Sequence, residues 1–304
     1  MVIQKMKIEY KVEKALTDIS VRAFLGCQGF SVHLWRKLKH HGTAYINGEQ
    51  IIPALSTLKA DDILTCDIPE ETTVKPINGP LEILYEDNEL LFLNKPAGIL
   101  VHPLASGHEA SLLNYIADYF QKTKQELIPH PVHRLDRNTT GIVMVAKLPH
   151  IQHLLTQNGS LQFHRKYLAI VHGHLTPAEG VIHAPIDRKP ESIIERCVSE
   201  QGKPSVTNYH TLAEWDNYSL IEAQPVTGRT HQIRVHCAHL NCPLVGDDLY
   251  GGSREFFPRQ ALHAFRMDLI HPITQKPLMI IAPVPKDFSD FIPKSVLLSS
   301  KAFL

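Results

Sequence analysis

Alternating and continuous apolar runs dominate the chain beyond residue 80 and predict strands more often than helices. Strands are predicted at 81–85, 89–93, 142–146, 167–171 and 220–223. Helical spacing is predicted near 111–120, 151–157 and 231–240. No regular strand–helix–strand alternation links these segments. The pattern therefore predicts an α+β fold with a mixed, largely antiparallel sheet.

A shorter unit with its own pattern precedes this region. Ser31 is the predicted N-cap of a helix over 32–41, and Gly42 is predicted to end it in the left-handed conformation. Two strands are predicted beyond it, one over 45–51 that turns at Asn-Gly and one over 62–68. The unit is therefore predicted to be a small α/β module.

The predicted helix of this module carries the densest basic cluster of the chain, with Arg36, Lys37, Lys39, His40 and His41. A basic helix on a small sheet suits phosphate binding. A solvated helix face explains the same charges equally well. The segment 71–80 contains two prolines and a glycine and predicts a linker. We therefore predict a module at 1–70, a large domain at 81–295 and a tail at 296–304.

Composition narrows the class of protein. Lys+Arg and Asp+Glu both number 31 in 304 residues, so the formal net charge is +0. This balance argues against a protein that coats nucleic acid without specificity, and it permits a local basic groove. The five cysteines include no Cys-x-x-Cys pair, and no segment resembles a secretory signal or a membrane span. We therefore expect a cytoplasmic protein without membrane association.

The segment 133–141 is the strongest chemical signal. It places Asp136 among His133, Arg134 and Arg137, and a buried strand follows at once. A carboxylate in a cationic setting stays ionised and is available as a nucleophile or a base. The alternative is a surface turn in which Asp136 pairs with a neighbouring arginine.

A second segment, 226–236, offers a partner for this acid. Thr230 is predicted to cap a helix whose apolar stripe includes Ile233 and Cys237. Arg229 then lies at the helix entrance and can reach Asp136 in a charge-assisted pair. A purely structural salt bridge is the alternative.

Two further segments carry candidate contacts. Tyr167 follows the basic residues His164, Arg165 and Lys166, and can stack on a flat ring. Lys95 lies in a turn between two apolar strands and can contact phosphate. Ordinary packing and turn chemistry explain both equally well.

Five segments in one order resemble the RluA-type family of pseudouridine synthases. They are 94–103, 133–141, 166–173, 228–236 and 246–251. The resemblance implies that Asp136 is the catalytic aspartate, that Tyr167 packs against the target uracil and that Arg229 is the basic partner. It also implies that Arg134 fills the space left by an extruded base. His133, Lys95 and Lys166 are predicted RNA contacts, and no cofactor or metal is expected.

The N-terminal module resembles, more loosely, an RNA-binding module of a small-subunit ribosomal protein. Val32 replaces the usual arginine and Asp61 the usual glycine, so the copy is degenerate. Its predicted RNA contacts are Arg36, Lys37 and Lys39. The expected partner is RNA, with large-subunit ribosomal RNA ahead of transfer RNA, and the expected state is a monomer.

Three other functional classes would each use some of these sequence features. A metallohydrolase would use the cluster of His231, His236, His239, Cys237 and Cys242, which lacks an acid at a standard motif spacing. A kinase is excluded because Leu135 and Asp136 stand in the opposite order from the kinase loop. A non-catalytic RNA-binding or ribosome-assembly factor remains an alternative.

Overall fold

The computed structural model of the protein describes residues 2–14, 18–104, 109–156 and 162–299. The N-terminal module is a four-stranded antiparallel sheet that shares one apolar core with two helices. Its elements are β1 Val2–Lys11, β2 Ile19–Ser20, α1 Val21–Cys27, α2 Val32–His41, β3 Thr43–Ile46, β4 Glu49–Ile51, β5 Thr57–Leu58 and β6 Ile63–Thr72. The sheet order is β1–β6–β3–β4.

Local sequence signals of the module are confirmed with one exception. The Oγ of Ser31 accepts a hydrogen bond from the Leu34 N–H at 3.1 Å, as a helix cap should. Asn47 and Gly48 turn the β3–β4 hairpin with φ values of 51° and 87°. The prediction for Gly42 is wrong, because its φ of −100° and ψ of 179° are extended. Glycine is needed there for space, since a Cβ would lie 2.7 Å from the carbonyl oxygen of Asp67.

The predicted linker is a strap held against the large domain. Strand β6 runs to Thr72, two residues beyond the predicted end of the module. The side-chain amide of Asn114 donates to the Lys75 carbonyl at 2.7 Å, and the backbone carbonyl of Asn114 accepts the Ile77 N–H at 3.1 Å. These bonds fix the path of the strap along the helix that contains Asn114.

The large domain is built on a ten-stranded sheet, and the predicted α+β, largely antiparallel fold is confirmed. The strands of the domain are β7 Ile83–Glu86, β8 Leu90–Lys95, β9 His130–Pro131, β10 Thr140–Ala146, β11 Phe163–His172, β12 Glu179–His183, β13 Ile186–Arg188, β14 Arg196–Val198, β15 Val206–Trp215, β16 Tyr218–Pro225, β17 Leu262–Ile270 and β18 Pro277–Ile281. The main order is β12–β15–β16–β11–β17–β10–β8–β7, with β18 on β17 and β9 on β10, while β13 and β14 pair separately.

The helices of this domain are α3 Leu112–Lys122, α4 Pro149–Leu155, α5 Gln232–His239, α6 Lys286–Phe291 and α7 Lys294–Ser299. Helix α7 crosses the predicted start of a tail at residue 296, and residues 300–304 of that tail lie outside the described ranges. No helix among the described residues is both long and apolar enough to cross a bilayer.

Strands β10 and β17 form the parallel pair of the sheet, and this pairing positions the acidic loop. Gly141, at the end of that loop, lies opposite Ala264. Its φ is 107°, and a Cβ would lie 2.2 Å from the Ala264 carbonyl oxygen. Glycine is therefore required where the loop enters the sheet.

The module contacts the large domain through α4. The Tyr10 hydroxyl lies 3.1 Å from Nε2 of His150, and the rings of Phe30 and His150 are 5.4 Å apart. A Cβ on Gly29 would collide with Leu154. The close fit means that the two parts share a packed interface.

Buried neutral histidines predict an acid-sensitive fold. Burial lowers the pKa of His133 to about 3, and that of His150 and of His263 to about 4, from 6.5. The unfolded chain therefore binds protons below about pH 6.5 that the folded chain does not, so stability falls as the pH falls. Each histidine should reduce the free energy of unfolding by about 2 kcal/mol between pH 6.5 and about pH 5. Urea denaturation at both pH values measures this, and His263→Asn should flatten the dependence. Equal stability at both pH values would contradict the prediction.

Candidate active site

A cleft of about 320 Å³ opens in the large domain beside the acidic loop. Its volume is in the range of small-molecule sites. Five residues predicted from the sequence line it together, namely Asp136, Tyr167, Arg229, Arg134 and His133. The fold thus brings the acid, the aromatic ring and several cations to one place.

Asp136 is paired with an arginine other than the predicted one. Nη1 of Arg234 donates to Oδ2 of Asp136 at 3.2 Å. The same guanidinium makes two 2.7 Å bonds to the carboxylate of Asp247, which is 1% exposed. Burial opposes the charge of Arg234, but the bonds to Asp247 and Asp136 outweigh it and raise its pKa. Arg234 is therefore a fixed cation that holds the Asp136 carboxylate through a charge-assisted hydrogen bond.

The predicted pairing of Arg229 with Asp136 is wrong in this structure. Arg229 is exposed, and its Nε donates to the Pro204 carbonyl at 3.1 Å. Helix α5 begins one residue later than predicted, with His231 at the N-cap position in the left-handed region (φ 59°) instead of Thr230. Arg229 therefore lies in the turn before the helix, whereas Arg234 lies among its buried residues.

Gln232 holds that turn and was not predicted. Its Oε1 accepts from the Arg229 N–H at 3.0 Å and from the Thr227 hydroxyl at 2.7 Å. Its Nε2 donates to the Val206 carbonyl at 2.8 Å. The start of α5 has no side-chain cap hydrogen bond, so the buried amide of Gln232 fixes the turn before the helix, and only the tertiary contacts reveal this role.

His231 and Tyr250 form a second line of contacts to Asp136. Nε2 of His231 lies 3.8 Å from Oδ1 of Asp136, and its Nδ1 lies 2.7 Å from the Tyr250 hydroxyl. Burial lowers the pKa of His231 despite the nearby Asp136. The ring of Tyr250 also lies 5.0 Å from the Arg234 guanidinium. Asp247 and Tyr250 lie in the segment 246–251. This segment contributed to the family resemblance, but the sequence assigned no function to either side chain.

The two-residue period of β11 separates its basic residues. Tyr167 and Arg165 line the cleft and are 5% and 7% exposed, and burial raises the pKa of Tyr167. Lys166 points the other way and pairs with Glu222 of β16 at 2.8 Å. Lys166 therefore lies outside the cleft and its RNA contact stays a prediction, whereas Arg165 lies in the cleft. Counting by two from Tyr167 would have identified Arg165.

Lys95 is a buried support of the loop, and the predicted phosphate contact is wrong. The side chain is 0% exposed. Its Nζ donates to the carbonyls of Pro96, Ile99 and Arg137 at 2.8, 3.0 and 2.9 Å. Burial lowers its pKa to about 7. Because Arg137 follows Asp136 directly, Lys95 ties the acidic loop to the neighbouring turn.

Lys95→Met should therefore destabilise the acidic loop that contains Asp136. It should leave the electrostatic contribution to RNA binding unchanged. Three carbonyls lose their donor, and we expect a loss of about 1–3 kcal/mol in the free energy of unfolding. Turnover should fall at least about tenfold, because the loop is no longer fixed. The slope of log Kd for RNA against log salt should stay unchanged. A slope reduced by about 0.7 would instead identify a phosphate contact.

His133 and Arg134 differ in their accessibility. Nε2 of His133 accepts a hydrogen bond from the Met144 N–H at 3.1 Å, and its depressed pKa keeps the ring neutral. His133 thus anchors the loop to β10 as a neutral ring, and its RNA contact stays a prediction. Arg134 is exposed at the cleft, and its charge contributes with burial to lowering the pKa of His102.

The basic residues of α2 lie on the N-terminal module and outside the cleft. Arg36 and Lys39 are exposed, and Lys37 is half-buried beside α4. The structure thus leaves the sequence-based prediction for this helix open to a binding test.

Residues that could hold a metal were also located. Among the described residues, ligand atoms of Asp87, Glu89 and His271 lie within 4.8 Å of one another. Nδ1 of His271 accepts hydrogen bonds from two backbone N–H groups, which places the ring proton on the nitrogen that faces the carboxylates. His271 is therefore joined to Asp87 by a hydrogen bond, and the nitrogen that would bind a metal carries a proton. The cluster considered for a metallohydrolase does not converge, and both ring nitrogens of His236 already have partners.

Comparison with known proteins identifies the family of this chain. Residues 89–239 match the family described as RNA pseudouridylate synthase. The uncharacterized RNA pseudouridine synthase YjbO of Bacillus subtilis (strain 168) is 39% identical over 281 residues, which cover 90% of this chain and 98% of that protein.

Two further comparisons give the same answer. The ribosomal large subunit pseudouridine synthase D of Xanthomonas campestris pv. campestris is 37% identical over 265 residues, covering 81% of this chain and 79% of that protein. The structure of human RNA pseudouridylate synthase domain containing 1 superposes with a TM-score of 0.56 at 28% identity, covering 71% of this chain and 86% of that one. The chain therefore belongs to the RluA-type family of RNA pseudouridine synthases, enzymes that isomerise uridine in RNA.

Proposed function

We propose that this enzyme modifies uridines of large-subunit ribosomal RNA and that Asp136 is its essential carboxylate. The observation that carries the assignment is the carboxylate of Asp136, held by Arg234 at 3.2 Å in the same cleft as Tyr167. The choice of RNA is supported by the relatives named ribosomal large subunit pseudouridine synthase D.

The target uridine leaves its base stack to enter the cleft, which costs a few kcal/mol. Stacking on the ring of Tyr167 returns about 1–3 kcal/mol. Arg134 is exposed beside the cleft and is suited to fill the vacated position in the RNA. Asp136 then attacks the sugar, attacks the base or removes a sugar proton. All three routes need a carboxylate at this position, and Arg234 holds that of Asp136 in the cleft.

We also propose that α2 adds affinity for RNA through phosphate contacts. In the variant Arg36→Gln/Lys39→Gln, the slope of log Kd against log salt should fall by about 0.7–0.9 per lost contact. The matched control Lys122→Gln/Lys189→Gln removes two exposed charges of the large domain that pair with Asp118 and Glu195. Equal slopes for the two double variants and the wild type would show that α2 is only a solvated helix face.

Mapping pseudouridines in RNA from cells with and without this protein tests the target. We expect the loss of one or more sites in large-subunit ribosomal RNA, restored by the wild-type protein and not by Asp136→Asn. Loss confined to transfer RNA would overturn the choice of substrate. An unchanged map, together with defective ribosome assembly, would favour the non-catalytic alternative.

A further inference from the structure

Arg165 is a buried cation of the cleft that lacks a counter-charge. It is 7% exposed, and its Nε has no hydrogen-bond partner among the described residues. Its Nη2 donates to the Thr227 carbonyl at 3.3 Å. By contrast, Arg234 and Arg259, which are equally buried, each hold a carboxylate in a two-bond pair.

An unpaired buried guanidinium is costly. It does not lose its proton under ordinary conditions, and removing a charge from water costs several kcal/mol unless a partner compensates. Among the described residues no carboxylate forms an ion pair with Arg165. The free Nε–H therefore indicates that a group from outside the chain, rich in electrons, completes this site.

The position of Arg165 suggests which group that is. Arg165 and Tyr167 are two residues apart on β11, face the same cleft and interact through the tyrosine hydroxyl. If Tyr167 packs on the target uracil, the Arg165 guanidinium lies at the edge of that ring, where uracil carries its two carbonyl oxygens.

The reaction places negative charge on the same oxygens. When the bond between N1 and the sugar carbon breaks, its electron pair passes to the uracil and spreads over the ring nitrogens and both carbonyls. The C5 carbon then forms the new bond to the sugar carbon, C5 loses its proton and N1 gains one, so nothing is oxidised or reduced. Attack of Asp136 on the base would likewise move charge onto a carbonyl oxygen.

We propose that Arg165 donates a hydrogen bond to a uracil carbonyl oxygen and stabilises the negative charge that the base acquires during isomerisation. Arg165 is then a further catalytic residue, acting on the base while Arg234 acts on Asp136. This inference rests on the proposed function, in which the cleft holds the target uridine. A preorganised cation at the site of developing charge lowers the barrier more than it strengthens ground-state binding.

Single-turnover rates with saturating RNA test the inference. Arg165→Gln should lower the rate about 100-fold or more, with Kd for RNA changed less than about threefold. Arg165→Lys, which keeps the charge, should recover part of the rate. His164→Gln, an exposed neighbour on the same strand, is the control and should match the wild type. A large rise in Kd with an unchanged saturated rate would assign Arg165 to a phosphate and overturn the proposal.

RNA with 5-fluorouridine at the target position gives a second readout. Fluorine withdraws electrons and stabilises the negative charge on the base, so Arg165 should contribute less to the rate with this substrate. The deficit of Arg165→Gln, measured as breakage of the original glycosidic bond, should shrink at least about tenfold relative to uridine. An equal deficit with both bases would overturn the proposal. If Arg165→Gln does not fold, the same comparison of 5-fluorouridine with uridine is made with Arg165→Lys. Activity of Asp136→Asn is a separate result that would refute the proposed function itself.

Discussion

Asp136→Asn should lower pseudouridine formation more than about a thousandfold. Asparagine has the same shape, and it can still accept the hydrogen bond that Arg234 donates at 3.2 Å. It carries no charge and is neither a nucleophile nor a base at neutral pH. Release of tritium from RNA labelled at C5 of uridine measures the reaction directly. Asp248→Asn is the matched control, because Asp248 is exposed and pairs with Arg254 at 2.7 Å.

The same variant should keep its fold and its RNA affinity. Arg234 retains both bonds to Asp247 when Asp136 loses its charge, so no buried cation is left unpaired. We expect the free energy of unfolding to change by less than about 1 kcal/mol and Kd for RNA by less than about threefold. Turnover near the wild-type level would contradict the role of Asp136, and unfolding of the variant would assign it a structural role as well.

Arg234→Met should be the most damaging single change to both stability and activity. It leaves Asp247, which is 1% exposed, as an unpaired buried carboxylate. Breaking a buried pair in this way costs about 3–5 kcal/mol. Arg234→Lys should restore much of the stability, because the charge returns. The rate of Arg234→Lys should remain about 100-fold below that of the wild type, since an ammonium group cannot replace a planar guanidinium that holds two carboxylates. Urea denaturation and tritium release together separate the two effects.

Arg229→Ala is the matched comparison for Arg234. Arg229 is exposed and bonds to a backbone carbonyl, so its loss should leave the saturated rate within about threefold of the wild type. Any deficit should appear in Kd for RNA. If Arg229→Ala instead lost its saturated rate while Arg234→Lys kept it, the pairing inferred from sequence would be restored and the one in this structure rejected.

Several features follow from short stretches of sequence because their causes are local. Continuous apolar runs predict β10 and β11, and the sequence Asn47-Gly48 specifies a tight hairpin turn through its backbone preferences. Ser31 caps α2 with its own hydroxyl. In each case the interaction that stabilises the conformation spans only a few residues.

The wrong predictions for site residues share a different cause. Each depends on an interaction between residues that are far apart in the sequence. Arg234 and Asp136 are 98 residues apart, and Lys95 bonds to the Arg137 carbonyl across 42 residues. From sequence alone, Lys95 in its turn resembles a phosphate contact. The structure shows instead that its ammonium group is buried among three carbonyls. The orientation of Lys166 likewise became known only from its ion pair with Glu222 on the neighbouring strand.

The sequence by itself determined the family and the fold class and indicated Asp136 as the candidate acid, because ordered motifs and apolar strand patterns are properties of the chain. Only the tertiary structure decided which arginine faces Asp136, which basic residues are supports and which buried arginine of the described residues lacks a carboxylate partner. The physical reason is that the role of a charge depends on its burial and its partners. Both arise when segments distant in sequence pack together, as α5 and the acidic loop do around Arg234.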